Sequence, residues 1–267
     1  MKNQKIAIIG CGNLGKSILN GLLKNKEIIH SNITATKRNI QTFESYSNRK
    51  FHCTSNNIEA VKNAEIIILA IKPYNLISIV KEIKPHLNEN HVLVSLATGI
   101  SIKEIENEAP KHLSIYRAMP NTAADVSESI TCICANTEEE EKKKKIETVF
   151  NSIGSSIFIN EELMESATVL GACGIAYVLR FIRAMTQGGI QIGFDAETAS
   201  KIVTQTVKGA SELLIKNKQH PEYEIDKVTT PKGCTIVGIN EMEHNGFSSS
   251  LIKGLMASYK DIHKDEK

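Results

Sequence analysis

Residues 5–18 read KIAIIGCGNLGKSI, an apolar run that breaks into Gly10-x-Gly12-x-x-Gly15 and continues with apolar residues at helical spacing. A glycine turn between a strand and a helix is suited to a phosphate-bearing ligand. The first glycine permits the tight turn, the second lets backbone approach a pyrophosphate, and the third allows close packing of helix on strand. The free amides of the helix's first turn then receive the phosphate oxygens. The motif alone is weak, and the strand before it and helix after it give it meaning. Which dinucleotide it takes is decided at the end of the second strand, where residues 33–39 read ITATKRN. An acid at that point would bind the ribose 2′-hydroxyl of NAD. Thr36, Lys37 and Arg38 stand there instead, and two cations pair with a 2′-phosphate that a carboxylate would repel. The reading is NADPH preferred and NADH usable; a pair of ordinary loop cations is the plain alternative.

Other chemistries leave little trace. There is no G-x-S-x-G, no H-E-x-x-H, no C-x-x-C and no carboxylate pair of diagnostic spacing among the 267 residues. The six cysteines and eight histidines are scattered, which predicts reduced thiols in a cytoplasmic protein and no metal. Lys and Arg number 32 against 30 Asp and Glu, a balance that argues against nucleic acid or an anionic membrane as partner. The N-terminal apolar stretch is too short for a signal peptide. No run is expected to reach the roughly 20 apolar residues of a membrane span.

These residues need a scaffold, and the pattern supplies one. Apolar, β-rich runs at KIAIIG, NITATK, FHCTS, EIIILAI, HVLVSLA, LSIYRAM, SITCICA and SSIFIN alternate with helical spacing, as at 75–84 and 100–109. Runs that are apolar throughout fit strands covered by helices on both faces. Residues 1–160 therefore read as an α/β, Rossmann-like doubly wound domain that binds NADP. In Thr137-EEEEKKKK, Thr137 and Glu140 fit a capping box. Each of Glu138 to Glu141 precedes a lysine by four residues, so the tract reads as a solvated helix. After Asn160 the strand signal stops, and 162–187, 196–217 and 248–263 read as helices, with Asp195 as a cap. Residues 161–267 make an all-α domain. Leu170, Ile175, Val178, Leu179 and Ile182 give its first helix more apolar surface than a small domain needs, so packing against a second copy is set beside ordinary core packing.

At this point the chain resembles the pyrroline-5-carboxylate reductase family. The likeness is carried by GCGNLG, by AIKP at 70–73, by RAMPNTAA at 117–124 and by DKVTTPKGCTIVGINEME at 226–243. It runs in order over nearly the whole chain. It implies a Rossmann domain followed by a helical substrate and dimerisation domain, homodimers that can assemble into decamers, and reduction of 1-pyrroline-5-carboxylate to L-proline by NAD(P)H. The matching positions put Gly10, Gly12, Asn13, Leu14 and Gly15 at the pyrophosphate and Lys37 and Arg38 near the 2′-phosphate. Asn56 or Asn57 falls near the adenosine end. Ala70, Ile71, Lys72, Pro73, Ala97, Thr98 and Gly99 run beside the cofactor. For substrate the likeness implies Lys232, Gly233, Cys234 and Thr235, with Glu161 near the nicotinamide. Helix-start amides would hold the carboxylate, and Thr235 is the implied catalytic hydroxyl; its bland alternative is a helix N-cap. A protonated imine is already electrophilic, so alignment and one proton donor suffice.

The chain departs from the family pattern at Gly171–Tyr177, GACGIAY where the family reads close to SGSGPAY, and at PKGCT, where Lys232 replaces a glycine. These changes leave open a reductase of another cyclic imine acid, or a low-activity NADPH-binding paralogue serving as sensor or partner protein. Hydroxyacid dehydrogenases of like architecture carry a lysine soon after such glycines. Here Tyr177, Val178 and Leu179 follow Gly171 and Gly174.

Overall fold

A computed structural model of the protein describes residues 4–41, 43 and 51–262. The chain separates into two units, Met1–Ile175 with Ile262–Lys267, and Ala176–Asp261.

Among the described residues the first unit holds an eight-stranded sheet. Its strands are β1 (Ile6–Ile9), β2 (Ile33–Thr36), β3 (His52–Thr54), β4 (Ile66–Leu69), β5 (Val92–Ser95), β6 (Ser114–Met119), β7 (Ser129–Ala135) and β8 (Gly154–Phe158). They lie in the order β3-β2-β1-β4-β5-β6-β7-β8. Each matches one of the apolar runs in the sequence. Side chains alternate across a strand, and here both faces are dry: Ile6, Ile8, Ile66 and Ile68 enter one core while Ala7, Ile9, Ile67 and Leu69 enter the other. The first core is closed by α1 (Asn13–Lys24) through Ile18, Leu19 and Leu22, and by α5 (Glu140–Asn151) through Ile146, Val149 and Phe150. The second is closed by α2 (Asn57–Lys62), α3 (Pro73–Ile83) and α4 (Ile102–Glu108). Burial on both sides is why β1 and β4 show no polar alternation; β3 and β8, at the two edges of the sheet, keep exposed residues.

Strand pairing is parallel except between β6 and β7, which run antiparallel. The reason is local. After Met119 the chain makes only a short 3-10 turn, Thr122–Val126, closed by Ser127 at φ 62°, and parallel pairing would need a crossover of a dozen or more residues. Between β1 and β4 the strand order reverses, the point at which such sheets bind ligands beyond their carboxyl ends.

Two local expectations fail at α5. Its N-cap is Glu139 without a side-chain cap bond; Thr137 instead accepts from the Glu139 amide at 3.2 Å. Of the four expected i,i+4 pairs only Glu141–Lys145 forms, at 2.7 Å. Lys142 pairs with Glu139 and Lys143 with Glu138. Starting the helix later rotates the acids preceding it out of helical phase, so spacing no longer sets their partners.

The helical run expected over 162–187 is longer and less regular. It comprises a 3-10 turn Glu161–Leu163, α6 (Met164–Ala167), a π turn Thr168–Cys173 and α7 (Gly174–Gln191). Met164, Thr168 and Val169 are buried, and Met164 belongs to the second sheet core. The compact units therefore divide after Ile175, where the sequence places the boundary at 160/161. By length and composition alone Glu161–Gln191 could also cross a membrane, against the expectation that no run reaches that length. Small and apolar residues carry the average along the whole run.

The second unit contains the rest of α7, α8 (Ala196–Asn217), α9 (Pro221–Val228), α10 (Cys234–His244) and α11 (Phe247–Ile262). Asp195 caps α8, accepting from Thr198 N at 2.9 Å. α11 matches the helix read at 248–263, of which residue 263 lies outside the described residues. Only Thr186, Ala199 and Val203 of this unit are buried. Leu179, Ile192, Ile215, Val237 and Ile252 stand more than half exposed.

Candidate active site

At the end of β1 the chain turns through Gly10 at φ 89°. A Cβ there would lie 2.4 Å from Ile71 Cγ2 and 2.8 Å from the Ala70 carbonyl oxygen, so the AIKP segment after β4 closes directly on the turn. A Cβ on Gly15 would lie 2.3 Å from the Gly10 carbonyl oxygen, whereas one on Gly12 would meet nothing within 4 Å. The first and third glycines are thus required by packing, and the second faces open space, as a cradle for phosphate does.

The amides divide in the same way. Cys11 N donates to the Thr36 carbonyl at 3.0 Å and Gly10 N to Thr36 Oγ1 at 3.3 Å. Lys16 N closes the first helical bond on Gly12 O. Gly12 is the N-cap of α1 and no side chain caps that helix. The amides of Asn13, Leu14 and Gly15 fall in the first turn, where no intrahelical acceptor exists. They are the donors an anion would use, aided by the helix dipole. These features fit a dinucleotide's pyrophosphate.

Beside the turn lies a cavity of about 170 Å³ lined by Gly10, Thr36, Lys37, Arg38, Ser55 and Asn57, among others. Arg38 is exposed and Lys37 half-buried, and among the described residues neither forms an ion pair. The sequence leaves open Asn56 or Asn57. Asn56 is the N-cap of α2, accepting from Glu59 N, while Asn57 lines the cavity and accepts from Thr36 Oγ1 at 2.8 Å. Lys72 is the exposed N-cap residue of α3 with Pro73 at its first turn. Ala97 is buried behind β5 and Gly99 turns at φ 74°; Thr98 lies half-buried between them.

Gly99 also lines a second cavity of the first unit, about 710 Å³, together with Ser101, Arg117, Glu161 and Glu165. Arg117 is 3% exposed and pairs with Glu161 Oε1 at 3.0 Å and Glu165 Oε1 at 2.8 Å. Burial opposes its charge, and the hydrogen bonds to both glutamates outweigh that and raise its pKa. Glu161 Oε1 also accepts from Ile102 N at 2.7 Å. One oxygen of Glu161 is thereby committed to holding β6 and α4, and Oε2 forms no hydrogen bond among the described residues.

Sequence reasoning assigned no role to Arg117, Thr36 or Asn121. Asn121 takes Ala123 N on its Oδ1 at 3.0 Å and donates from Nδ2 to the Gly171 carbonyl at 3.1 Å. It ties the end of β6 to the π turn that contains the unusual Gly171-Ala172-Cys173. An Asn ahead of Thr-Ala-Ala is a capping signal that could have marked it.

In the second unit the substrate loop implied by resemblance precedes α10. Thr230 O accepts from Gly233 N at 2.9 Å, and a Cβ on Gly233 would lie 2.6 Å from Thr230 Oγ1. Lys232 sits at φ 61°, in the left-handed region that glycine fills freely. Gly233 is the N-cap, so Cys234 and Thr235 are the first and second residues of the helix. Thr235 is not the cap residue, and no hydrogen bond commits its half-buried hydroxyl among the described residues. Burial pushes the Cys11 thiol up to about 12 and Cys134 up to about 11, whereas Cys173 is half-buried and Cys234 exposed.

Comparison with known proteins adds to this geometry. Residues 161–264 match the family model for pyrroline-5-carboxylate reductase dimerisation, and residues 5–99 that for NADP oxidoreductase, coenzyme F420-dependent. The chain is 44% identical to pyrroline-5-carboxylate reductase 1 of Dictyostelium discoideum over 95% of its own length and 48% of that protein, about half of it. It is 39% identical to pyrroline-5-carboxylate reductase 2 of the same organism, over 99% of this chain and 94% of that one. Among solved structures, Plasmodium falciparum pyrroline carboxylate reductase with NADP bound superposes with TM-score 0.88 at 29% identity, covering 98% of each chain. A pyrroline-5-carboxylate reductase from Coxiella burnetii gives 0.89 at 28% identity, again over 98% of each.

Proposed function

The chain belongs to the pyrroline-5-carboxylate reductase family, and we propose from that premise that it reduces 1-pyrroline-5-carboxylate to L-proline, with NADPH the preferred reductant. The carrying observation is the phosphate-ready glycine turn of the first unit; the second unit, by itself, carries a Thr235 hydroxyl with no hydrogen bond among the described residues at the start of a helix. A reduced nicotinamide, when bound, supplies the hydride that the imine carbon accepts.

The residues of the chain do the rest. Amides of Asn13, Leu14 and Gly15 hold the pyrophosphate, and Lys37 and Arg38 hold the 2′-phosphate. The amides opening α10 and the Lys232 ammonium hold the substrate carboxylate. Thr235 donates a hydrogen bond at the ring nitrogen and helps pass a proton there, directly or through water. Reduction of a neutral imine to an amine takes up one hydride at carbon and one proton at nitrogen; where the imine is already protonated the hydride alone completes it, so no strong acid or base is needed. Glu161 offers its free oxygen near the nicotinamide.

The exposed apolar faces of α7, α8 and α11, within residues matched to a dimerisation family, support a homodimer, with decamers as its further assembly. Six cysteines without paired spacing support a cytoplasmic location. Lys232 in a strained loop position favours one second reading, a reductase whose ring or acidic group differs from that of 1-pyrroline-5-carboxylate. Following NADPH loss with five- and six-membered cyclic imine acids in parallel separates the two: the first reading expects faster turnover of the five-membered ring.

A further inference from the structure

Four groups form a chain of hydrogen bonds behind the nucleotide turn. Thr36 is 2% exposed. Its hydroxyl donates to Asn57 Oδ1 at 2.8 Å and accepts from Gly10 N at 3.3 Å. Asn57 Nδ2 in turn donates to both Glu82 oxygens at 3.3 Å. A hydroxyl has one proton. With that proton directed at Asn57, a lone pair of Oγ1 is directed at the Gly10 amide. The Glu82 carboxylate accepts only, so it turns the amide of Asn57 with its nitrogen outward and its oxygen toward Thr36.

We infer that Thr36, Asn57 and Glu82 are positioning residues that aim the glycine turn. By drawing the Gly10 amide back onto β2, the relay leaves the phosphates to the amides of Asn13, Leu14 and Gly15. Both polar ends of Asn57 take part in this chain of hydrogen bonds, so Asn57 acts on cofactor binding through the turn as well as from its place in the cavity lining. Thr36 stands at the end of β2 with its one hydroxyl proton committed to Asn57, so it has no proton to give a 2′-phosphate, and discrimination between the two reductants falls to Lys37 and Arg38. The inference rests on the dinucleotide reading of this site, and it holds whatever the imine substrate is.

The test measures binding by isothermal titration calorimetry with NADPH and with NADH, without substrate, so that a wrong imine would not affect it. Failure of the wild-type protein to bind either cofactor would count against the site itself and overturn the relay with it. Thr36→Val keeps shape and β-branching but leaves the Gly10 amide and Asn57 Oδ1 unpaired. It is expected to weaken both cofactors alike, by roughly tenfold, the cost of orphaned buried polar groups. Thr36→Ser, which restores the hydroxyl, is expected to bind both within about twofold of wild type. Glu82→Ala lies on the surface and leaves the core intact; it should weaken both cofactors equally and by less, as the outer member of the relay. Unchanged affinities in Thr36→Val, a loss confined to NADPH, or no recovery with serine would each overturn the inference. Should Thr36→Val not fold, Glu82→Ala decides it: equal weakening supports the relay, and unchanged or NADPH-only weakening overturns it.

Discussion

At the residue scale, the glycine turn is legible in the sequence because its geometry is local, and Lys37, Arg38 and Thr235 are proposed from the sequence on residue type and resemblance. Gly10 needs a positive φ, Gly12 needs no side chain, and Lys37 and Arg38 need only an open loop. Arg117 was not legible, because its partners Glu161 and Glu165 lie 44 and 48 residues away and spacing says nothing of contacts made across a sheet. The same holds for Asn121 and Gly171, 50 residues apart. Arg38→Ala is expected to weaken NADPH by tenfold or more, the loss of a charge-assisted phosphate contact, and to leave NADH within about twofold. Parallel titrations with the two cofactors check it, and equal losses would show that Arg38 does not read the phosphate. Thr235→Val removes the hydroxyl and keeps the shape. Since Gly233, not Thr235, caps α10, helix stability should survive while kcat falls by roughly tenfold or more and cofactor affinity holds. A full rate in that variant on the true substrate would remove the hydroxyl from the mechanism.

At the element scale, strands buried on both faces announce themselves as unbroken apolar runs, as β1 and β4 do, whereas the edge strands β3 and β8 are partly exposed and carry polar residues. Helices without such a face were harder. α9 is eight residues, Pro221–Val228, with four of them charged and none buried; only Pro at its first turn marked it. The π turn Thr168–Cys173 carries no periodicity that distinguishes it from its α-helical flanks. One loop makes a pH prediction. His91 is 8% exposed just before β5, and its Nδ1 accepts from Asn88 N at 2.9 Å. Burial lowers its pKa from the ordinary 6.5, and protonation would also remove the acceptor. The unfolded chain therefore takes up this proton more readily than the folded one. The stability His91 contributes is present above about pH 6.5 and is lost as pH falls below it. Melting curves from about pH 7.5 to 5.5 should show that loss, and His91→Asn, which keeps a side-chain acceptor, should reduce the slope across that interval. A slope unchanged by the substitution would assign the loss to other groups.

At the scale of the whole molecule, a helical unit with three buried residues has too little interior to hold its apolar faces from water by itself. The surplus was visible in the sequence at Val178 and Leu179, which are 48% and 59% exposed in the single chain. What the sequence could not show was where the sheet domain ends, because Met164 joins the sheet core from inside a continuous helical run, with Val169 buried a turn later. Sedimentation at micromolar concentration is expected to show a dimer or a larger assembly, and a stable monomer there would remove the explanation for those faces. The reduction proposed for this chain requires hydride from the cofactor to reach the imine carbon. Supplying 1-pyrroline-5-carboxylate with NADPH deuterated at the nicotinamide carbon that gives up the hydride should therefore yield L-proline carrying deuterium on the ring carbon formerly double-bonded to nitrogen, with one NADPH consumed per proline formed. Proline without that label, or no proline while cofactor still binds, would contradict it.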